Sequence, residues 1–475
     1  MLTLDYANCF ADRIGPSHGL DPALLDPTGD VARGIATLTQ KLTSTRGKDW
    51  ERWRELAFEP MRSEHLSAVR AAAKGCEGRF DTMVVLGIGG SALGNIALQS
   101  ALNPATHNLL DASVRKGPRM FVVDNVDPTY FGGVLDFCAS QPGGLRRTLF
   151  NVISKSGETA ETAAQFMVIR DRLKALMGKD HGANVVAVTD PRQGTMRRIC
   201  EREGYVTLPV PDGVGGRFSV LSPVGLFAAA MCGIDIESLL QGAADMDKTC
   251  SSQELTANSA AMLAFLLVEL GQSKGKTNHV LMPYANSLYL LADWYRQLWA
   301  ESLGKQKDLK GNTVFAGFTP IKALGTTDQH SQVQLYREGP NDKVLGMVEV
   351  ETFDRDVAIP AGLGVEAIAY LEGTSMSSLL AAEKRATEYA FVESQRPNFT
   401  IRFPRIDAYH VGQFINMWQI TTAYAGLLLG IDAYDQPAVE LGKQATFGLM
   451  GRAGYESFKT AVDKALGGKG RTIGG

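Results

Sequence analysis

The residues of this chain best suited to chemistry are a set of hydroxyls, one arginine, one glutamate, one histidine and one lysine, each in a polar or glycine-rich segment. Ser91 lies in the run Met83-Val-Val-Leu-Gly-Ile-Gly-Gly-Ser-Ala-Leu-Gly94, and Ser154, Ser156 and Thr159 lie in Asn151-Val-Ile-Ser-Lys-Ser-Gly-Glu-Thr-Ala-Glu-Thr162. Both runs pass from an apolar strand into small and hydroxyl residues and then open a helix. Hydroxyls and the free N–H groups of a helix start can bind an anion together, without a metal or a basic patch. Two such loops at the carboxyl edge of one sheet fit a single phosphorylated ligand. Gly90 supplies backbone in the first loop, and Lys155 of the second either joins the ligand or points to solvent.

Each loop also has a plainer reading. Gly87, Gly89 and Ala92 meet the spacing of a dinucleotide fingerprint, but the acid expected about 20 residues further on is poorly placed. The next strand candidate ends at Asp124, and Asp111 lies before it. Thr159 suits an N-cap and Ser156 a turn support. That account explains one hydroxyl more readily than three.

Arg217 follows the glycine-rich bend in Asp212-Gly-Val-Gly-Gly-Arg-Phe-Ser219. Its permanently charged fork can hold developing negative charge, or simply tie the loop to a carboxylate. Glu301 is the best candidate for a general base. On a helix expected over 287–302, Leu291, Trp294 and Leu298 form an apolar stripe, while Gln297 and Glu301 share the neighbouring face. A carboxylate at the edge of a buried face becomes a better proton acceptor when desolvation lifts its pKa. The alternative is an i,i+4 pair of Glu301 with Lys305.

His330 stands apart among seven histidines, in the polar loop Gly325-Thr-Thr-Asp-Gln-His-Ser-Gln-Val333. A neutral imidazole there can shuttle a proton, with Asp328 or Gln329 selecting its tautomer. His18, His65, His107, His181, His279 and His410 form no ligand series, so no metal is expected. In Tyr434-Asp-Gln-Pro-Ala-Val-Glu-Leu-Gly-Lys443, Gln436 and Lys443 can approach a cleft, or Lys443 can pair with Glu440 on an exposed face.

The elements that must position these residues alternate strand and helix twice. Residues 1–60 read as a mixed, mainly helical segment anchored by Trp50 and Trp53. Strands are expected over 83–87, 119–124, 149–153 and 184–189, separated by helices, which makes a parallel sheet within residues 61–240. A helical region over 236–270 leads to strands over 278–284, 312–317 and 343–350 and an apolar helix over 409–429, a second α/β unit within 241–430. Residues 431–475 read as a C-terminal helical segment carrying Lys443. The fold class is thus α/β, with two open, mostly parallel sheets flanked by helices.

Size and composition agree with two units, since 475 residues at 45% hydrophobic exceed what one core of about 250 to 300 residues holds. The net charge of −3, with both signs mixed throughout, gives no basic surface for nucleic acid. Six scattered cysteines with no paired spacing fit a reducing cytoplasm. The start carries an early acid and no basic end before an apolar stretch, so no signal peptide is expected. The apolar runs 260–268 and 421–430 fall short of the roughly 20 residues of a membrane span and read as buried helices.

Taken in order, Gly87-Ile-Gly-Gly-Ser91, Ser154-Lys-Ser-Gly-Glu-Thr159, Gly215-Gly-Arg-Phe-Ser219, Gln297-Leu-Trp-Ala-Glu-Ser-Leu-Gly-Lys305, Gln329-His330 and Tyr434 to Lys443 resemble the glucose-6-phosphate isomerase family, also called phosphoglucose isomerase. The third and last segments are the most diagnostic. The resemblance implies paired sugar-isomerase domains, a cytoplasmic homodimer, and interconversion of glucose 6-phosphate and fructose 6-phosphate in glycolysis and gluconeogenesis without metal or organic cofactor. It implies that Glu301 moves a proton between C2 and C1 through a cis-enediolate stabilised by Arg217, and that Lys443 and a His330 from the adjacent subunit assist ring opening. Ser91, Ser154, Ser156 and Thr159 would hold the phosphate, with Gly90, Lys155, Gln297 and Gln436 completing the expected substrate contacts.

Two departures from the family pattern stand out. Glu158 replaces the threonine common in the second loop, and a carboxylate beside a phosphate requires an outward orientation or a cation. Pro437 and Ala438 replace the tryptophan-glycine pair of longer members, as in shorter bacterial forms. Glucose 6-phosphate is expected to be strongly preferred over mannose 6-phosphate. A sugar-phosphate-binding regulator would not need Glu301, His330 and Lys443 together, and a dinucleotide oxidoreductase would require a redox partner.

Overall fold

Runs such as Thr82-Met-Val-Val-Leu86 and Val185-Val-Ala-Val-Thr189 are buried along their whole length, as strands covered on both faces by helices must be. The structure is a computed structural model describing residues 1–467. It begins with β1 (Thr3–Asp5), followed by β2 (Thr82–Leu86), β3 (Arg119–Val123), β4 (Thr148–Ile153), β5 (Val185–Thr189) and β6 (Val206–Pro209). Then come β7 (Asn278–Pro283), β8 (Lys305–Lys307), β9 (Thr313–Ala316), β10 (Thr319–Lys322), β11 (Lys343–Thr352) and β12 (Asn398–Arg405). The first sheet has the order β3-β2-β4-β5-β6 and is parallel throughout. The second has the order β1-β12-β11-β7-β10, parallel except for the antiparallel edge strand β1. This is the expected α/β architecture of two mostly parallel sheets.

Several local expectations are corrected. The segment 312–317 does form a strand, β9, but it pairs with β8 in a separate antiparallel hairpin. Its residues alternate too little to bury a face, and Thr313, Val314 and Phe315 are exposed. The places beside β7 and β11 are taken by β10 and β12, and β6 extends the first sheet. The N-terminal residues include a helix at Asp30–Thr45 and also contribute β1 to the distant second sheet. Of its two tryptophans, Trp53 is the anchor, stacked on Phe218 at 5.0 Å, whereas Trp50 is 49% exposed.

The two sheets share one continuous core reaching from Leu2 to Ala433. At its centre the helix Ala408–Leu429, buried from Ala408 to Gly426 save for Tyr409, crosses the helix Ile236–Thr249. The backbones nearly touch there, since a Cβ on Gly412 would stand 1.9 Å from the Leu239 carbonyl oxygen and one on Gly242 1.8 Å from that of Tyr409. The helix Ser259–Lys274, which contains the apolar run 260–268, is buried in the same way. Among the described residues no helix is long and apolar enough to cross a membrane. The helix Tyr289–Leu303, entered after β7, packs against Leu93–Leu102 of the first unit and carries Glu301 toward that unit's loops.

Candidate active site

The two hydroxyl loops leave adjacent strands, because β2 and β4 pair in register with Leu86 opposite Val152. After β2 the chain makes a tight turn at Gly89–Ser91 and enters the helix Leu93–Leu102. Gly90 lies against the Arg217 segment so closely that a Cβ would stand 2.1 Å from the Gly216 carbonyl carbon. The first and third motifs therefore meet backbone to backbone, and only glycine fits at position 90.

In the second loop the hydroxyls divide their work. Ser154, buried, accepts the Gly157 N–H at 3.0 Å, and Ser156 accepts the Glu158 N–H at 3.1 Å, so Ser156 does support the turn. Thr159 occupies the N-cap of the helix Ala160–Met177, yet its side chain makes no capping bond and stays available. Lys155 turns away, its Nζ 5.4 Å from the Trp50 ring centroid. Glu158 is paired with a cation. Its carboxylate accepts from Arg452 Nη2 and Thr195 Oγ1, each at 3.0 Å, and Arg452 in particular holds it below the usual carboxylate range.

Arg217 is 4% exposed and makes four hydrogen bonds within the protein. Nε donates to Ser302 Oγ at 2.6 Å, Nη1 to Gln436 Oε1 at 2.9 Å, and Nη2 to the carbonyls of Ala433 at 2.7 Å and Asp435 at 3.2 Å. Nη1 also stands 3.7 Å from Glu301 Oε1. Burial pulls the guanidinium's pKa down while the nearby Glu301 and Asp435 charges oppose it. The turn that presents it is fixed from behind by Gln419 Nε2, which donates to the Phe218 carbonyl at 3.1 Å, and by Trp53.

Glu301 is partly exposed and accepts from Gln297 Nε2 at 3.1 Å, one helical turn away. It does not pair with Lys305. That ammonium donates instead to the carbonyls of Glu301, Ser302 and Asp435 at 3.1, 2.8 and 2.9 Å, closing the helix end, and burial draws its pKa down. Glu301 thus keeps one face toward a cavity of about 710 Å³ lined by Gly89, Gly90, Ser156, Thr159, Arg217, Gln297, Glu301, Gln436 and Lys443. Lys443 lies on the helix Glu440–Leu449, half-exposed and 2.8 Å from Glu440. The surface pair and the approach to the cleft therefore coexist.

The cavity brings together most of the residues singled out from sequence, drawn from both units. Ser91, Ser154, Lys155 and His330 are not among its lining residues. His330 is exposed at the end of the turn Thr327–His330, between β10 and the helix Val333–Glu338. Asp328 does not set its tautomer within this chain, because that carboxylate accepts from the Leu324 N–H and the Ser331 hydroxyl. Sequence reasoning missed Ser302, fully buried against Arg217, although its place beside Glu301 put it within reach. It also missed Glu161, Thr446 and Phe447, which line the cavity.

The sequence model of the family described as phosphoglucose isomerase matches residues 61–453, a span that contains every one of these residues. The chain belongs to the phosphoglucose isomerase family. Among relatives within it, a glucose-6-phosphate isomerase of Carboxydothermus hydrogenoformans is 43% identical over 402 residues, covering 84% of this chain and 85% of that protein. One of Rubrobacter xylanophilus is 45% identical over 403 residues, covering 84% and 89%. Among solved structures, a hypothetical protein from Thermus thermophilus matches with TM-score 0.82 at 35% identity, over 95% of this chain and 100% of that one. The glucose-6-phosphate isomerase of Chlamydia trachomatis shares the fold, with TM-score 0.80 at 21% identity over 98% and 92%. In this member of the phosphoglucose isomerase family, β1 and Trp53 lie outside the matched span, yet one completes the second sheet and the other backs the Arg217 turn.

Proposed function

We propose that this chain interconverts D-glucose 6-phosphate and D-fructose 6-phosphate by proton transfer through a cis-enediolate, with Glu301 as the base. The observation that carries the reading is the Glu301 carboxylate, oriented by Gln297 and 3.7 Å from the buried Arg217 fork at the wall of a cavity that also holds Ser156 and Thr159. The phosphate belongs at the second loop, where the Thr159 hydroxyl is free and the helix Ala160–Met177 presents its first N–H groups. Ser91 and Ser154 act by shaping the two loops, and Lys155 takes a phosphate oxygen only by turning from Trp50.

With the phosphate fixed there, binding energy remote from the reacting carbons orients C1 and C2. Glu301 removes the C2 proton of the open-chain aldose, its electron pair moves onto the C1 carbonyl oxygen, and negative charge develops on the enediolate oxygens as the proton of the C2 hydroxyl passes to O1. Arg217, already desolvated and held by neutral acceptors, meets that charge without reorganising. The proton returns to C1 and the carbonyl forms at C2, so substrate and product are isomers and no redox partner is consumed. Lys443 donates to the sugar's ring or hydroxyl oxygen. His330, exposed and outside this chain's own cavity, acts at the site of the adjacent subunit in a homodimer. Six buried, unpaired thiols agree with a cytoplasmic setting.

Incubating the purified protein with glucose 6-phosphate alone and following proton NMR tests the reaction. Approach to equilibrium with fructose 6-phosphate is expected, and inert binding or dependence on added dinucleotide would overturn it. Mixing Glu301→Gln with His330→Ala protein tests the shared site. In a mixed dimer one cavity regains both native residues, so activity should return; no recovery after subunit exchange would place His330 elsewhere.

A further inference from the structure

The helices Glu440–Leu449 and Glu456–Leu466 form an arm that carries Lys443 but has almost no core beneath it. Gly448 is its one buried residue among those described in the two helices, and the protein's hydrophobic core stops short of them. The two helices pack mainly on each other, with Phe447 and Tyr455 in edge contact at 5.2 Å. Among the described residues, the hydrogen bonds and ion pairs of 440–467 stay within the arm, apart from the contact of Arg452 with Glu158 at 3.0 Å. Burial does not fix where Lys443 stands.

Both ends of that contact are themselves held. Arg452 lies over the rings of both Phe447 and Tyr455, 4.5 and 5.4 Å from their centroids, which restrains a side chain that would otherwise sample many rotamers. Glu158 is anchored to the first unit by Thr195 Oγ1, which in turn accepts from Arg198 Nη2 at 2.9 Å. Its own N–H donates to Ser156, within the loop assigned to the phosphate. We propose that Arg452 and Glu158 form a clasp that positions the C-terminal arm, and with it Lys443, over the phosphate loop. Both are positioning residues. The inference rests on the reading of this cavity as the isomerase site, and it gives the acidic departure at 158 a purpose: the carboxylate beside the phosphate is tolerated because Arg452 neutralises it while docking the arm.

The clasp makes an asymmetric prediction. Arg452→Gln frees the arm and leaves Glu158 unneutralised, so kcat should fall about fivefold, as the loss of one partly exposed ion pair allows, and KM for glucose 6-phosphate should rise. Glu158→Gln frees the arm without leaving a charge, so kcat should fall by a similar factor with KM unchanged. The double variant should match Glu158→Gln in both constants, because the second change has nothing left to break. Hydrogen exchange should quicken across 440–466 in all three variants, with the helix Ala408–Leu429 unchanged. Additive effects on kcat, or exchange across 440–466 equal to that of the unaltered protein, would overturn the clasp. The exchange measurement needs no turnover, so a protein inactive on glucose 6-phosphate but loosened in the arm would fail the functional reading and keep the clasp.

Discussion

Ser302 Oγ accepts a 2.6 Å hydrogen bond from Nε of Arg217, and Ser302 is the residue next to Glu301. One turn of one helix therefore sets the base and registers the cation, so the distance between them depends on two consecutive residues. Removing the hydroxyl leaves a buried guanidinium N–H without its acceptor. A hydrogen bond to a charged group contributes about 1.5–3 kcal/mol, so Ser302→Ala should lower kcat/KM by about tenfold or more. Steady-state kinetics would measure it, and a change below about twofold would show that Arg217 is held well enough by Gln436 and the two carbonyls.

Glu301→Gln keeps a side chain of the same shape beside Gln297 but cannot take the C2 proton. Turnover should fall by about 10²- to 10⁴-fold with KM little changed. Loss of the exchange of the C2 proton with solvent deuterium should accompany it. Near-normal exchange would remove Glu301 from the role of base.

Gly90→Ala tests the close approach of the first and third loops. A methyl 2.1 Å from the Gly216 carbon forces the two backbones apart, and overpacking of this kind costs about 1–3 kcal/mol or more. A lower melting temperature and a weaker kcat/KM should appear together, because the displaced turn is the one that presents Arg217. Unchanged values for both would mean that the loops separate easily.

Acid sensitivity should come in part from His279, which is 2% exposed and packed 5.1 Å from each of the Trp299 and Phe318 rings. Burial pushes its pKa down to about 3, from an ordinary value of 6.5. Between those values the unfolded chain binds the proton and the folded protein does not. Stability is therefore full above pH 6.5 and falls as the pH drops toward 3. At about pH 4.5 the loss from this group is on the order of 3 kcal/mol. Chemical denaturation of His279→Phe at about pH 7 and about pH 4.5 should show a smaller difference between the two than the unaltered protein shows. An equal difference would mean that His279 is protonated without cost.

Much of the site was legible because the signals are local. Apolar strands ending in small and hydroxyl residues marked both loops, the glycine bend marked Arg217, and the four-residue interval tied Gln297 to Glu301 before any contact was known. What escaped was set by distant packing. Lys305 satisfies the helix end instead of the carboxylate, since the chain at Asp435 arrives to share its ammonium. Nothing near Glu158 in sequence announced Arg452, 294 residues away. The second sheet was read less well than the first. β1 and β10 are too short to show a period, and β12 mixes charged residues with apolar ones because it runs beside an edge strand.

That edge strand sets a timetable for biosynthesis. Thr3 pairs with Arg402, so β1 has no lodging until the ribosome has released the chain as far as β12. At about 5–20 residues per second, β1 must wait roughly 20–80 s after its own synthesis for its partner to be made. During that interval the first sheet, whose last strand ends at Pro209, already has all its strands outside the ribosome and can close. β1 is translated before every other described strand and is among the last to be seated.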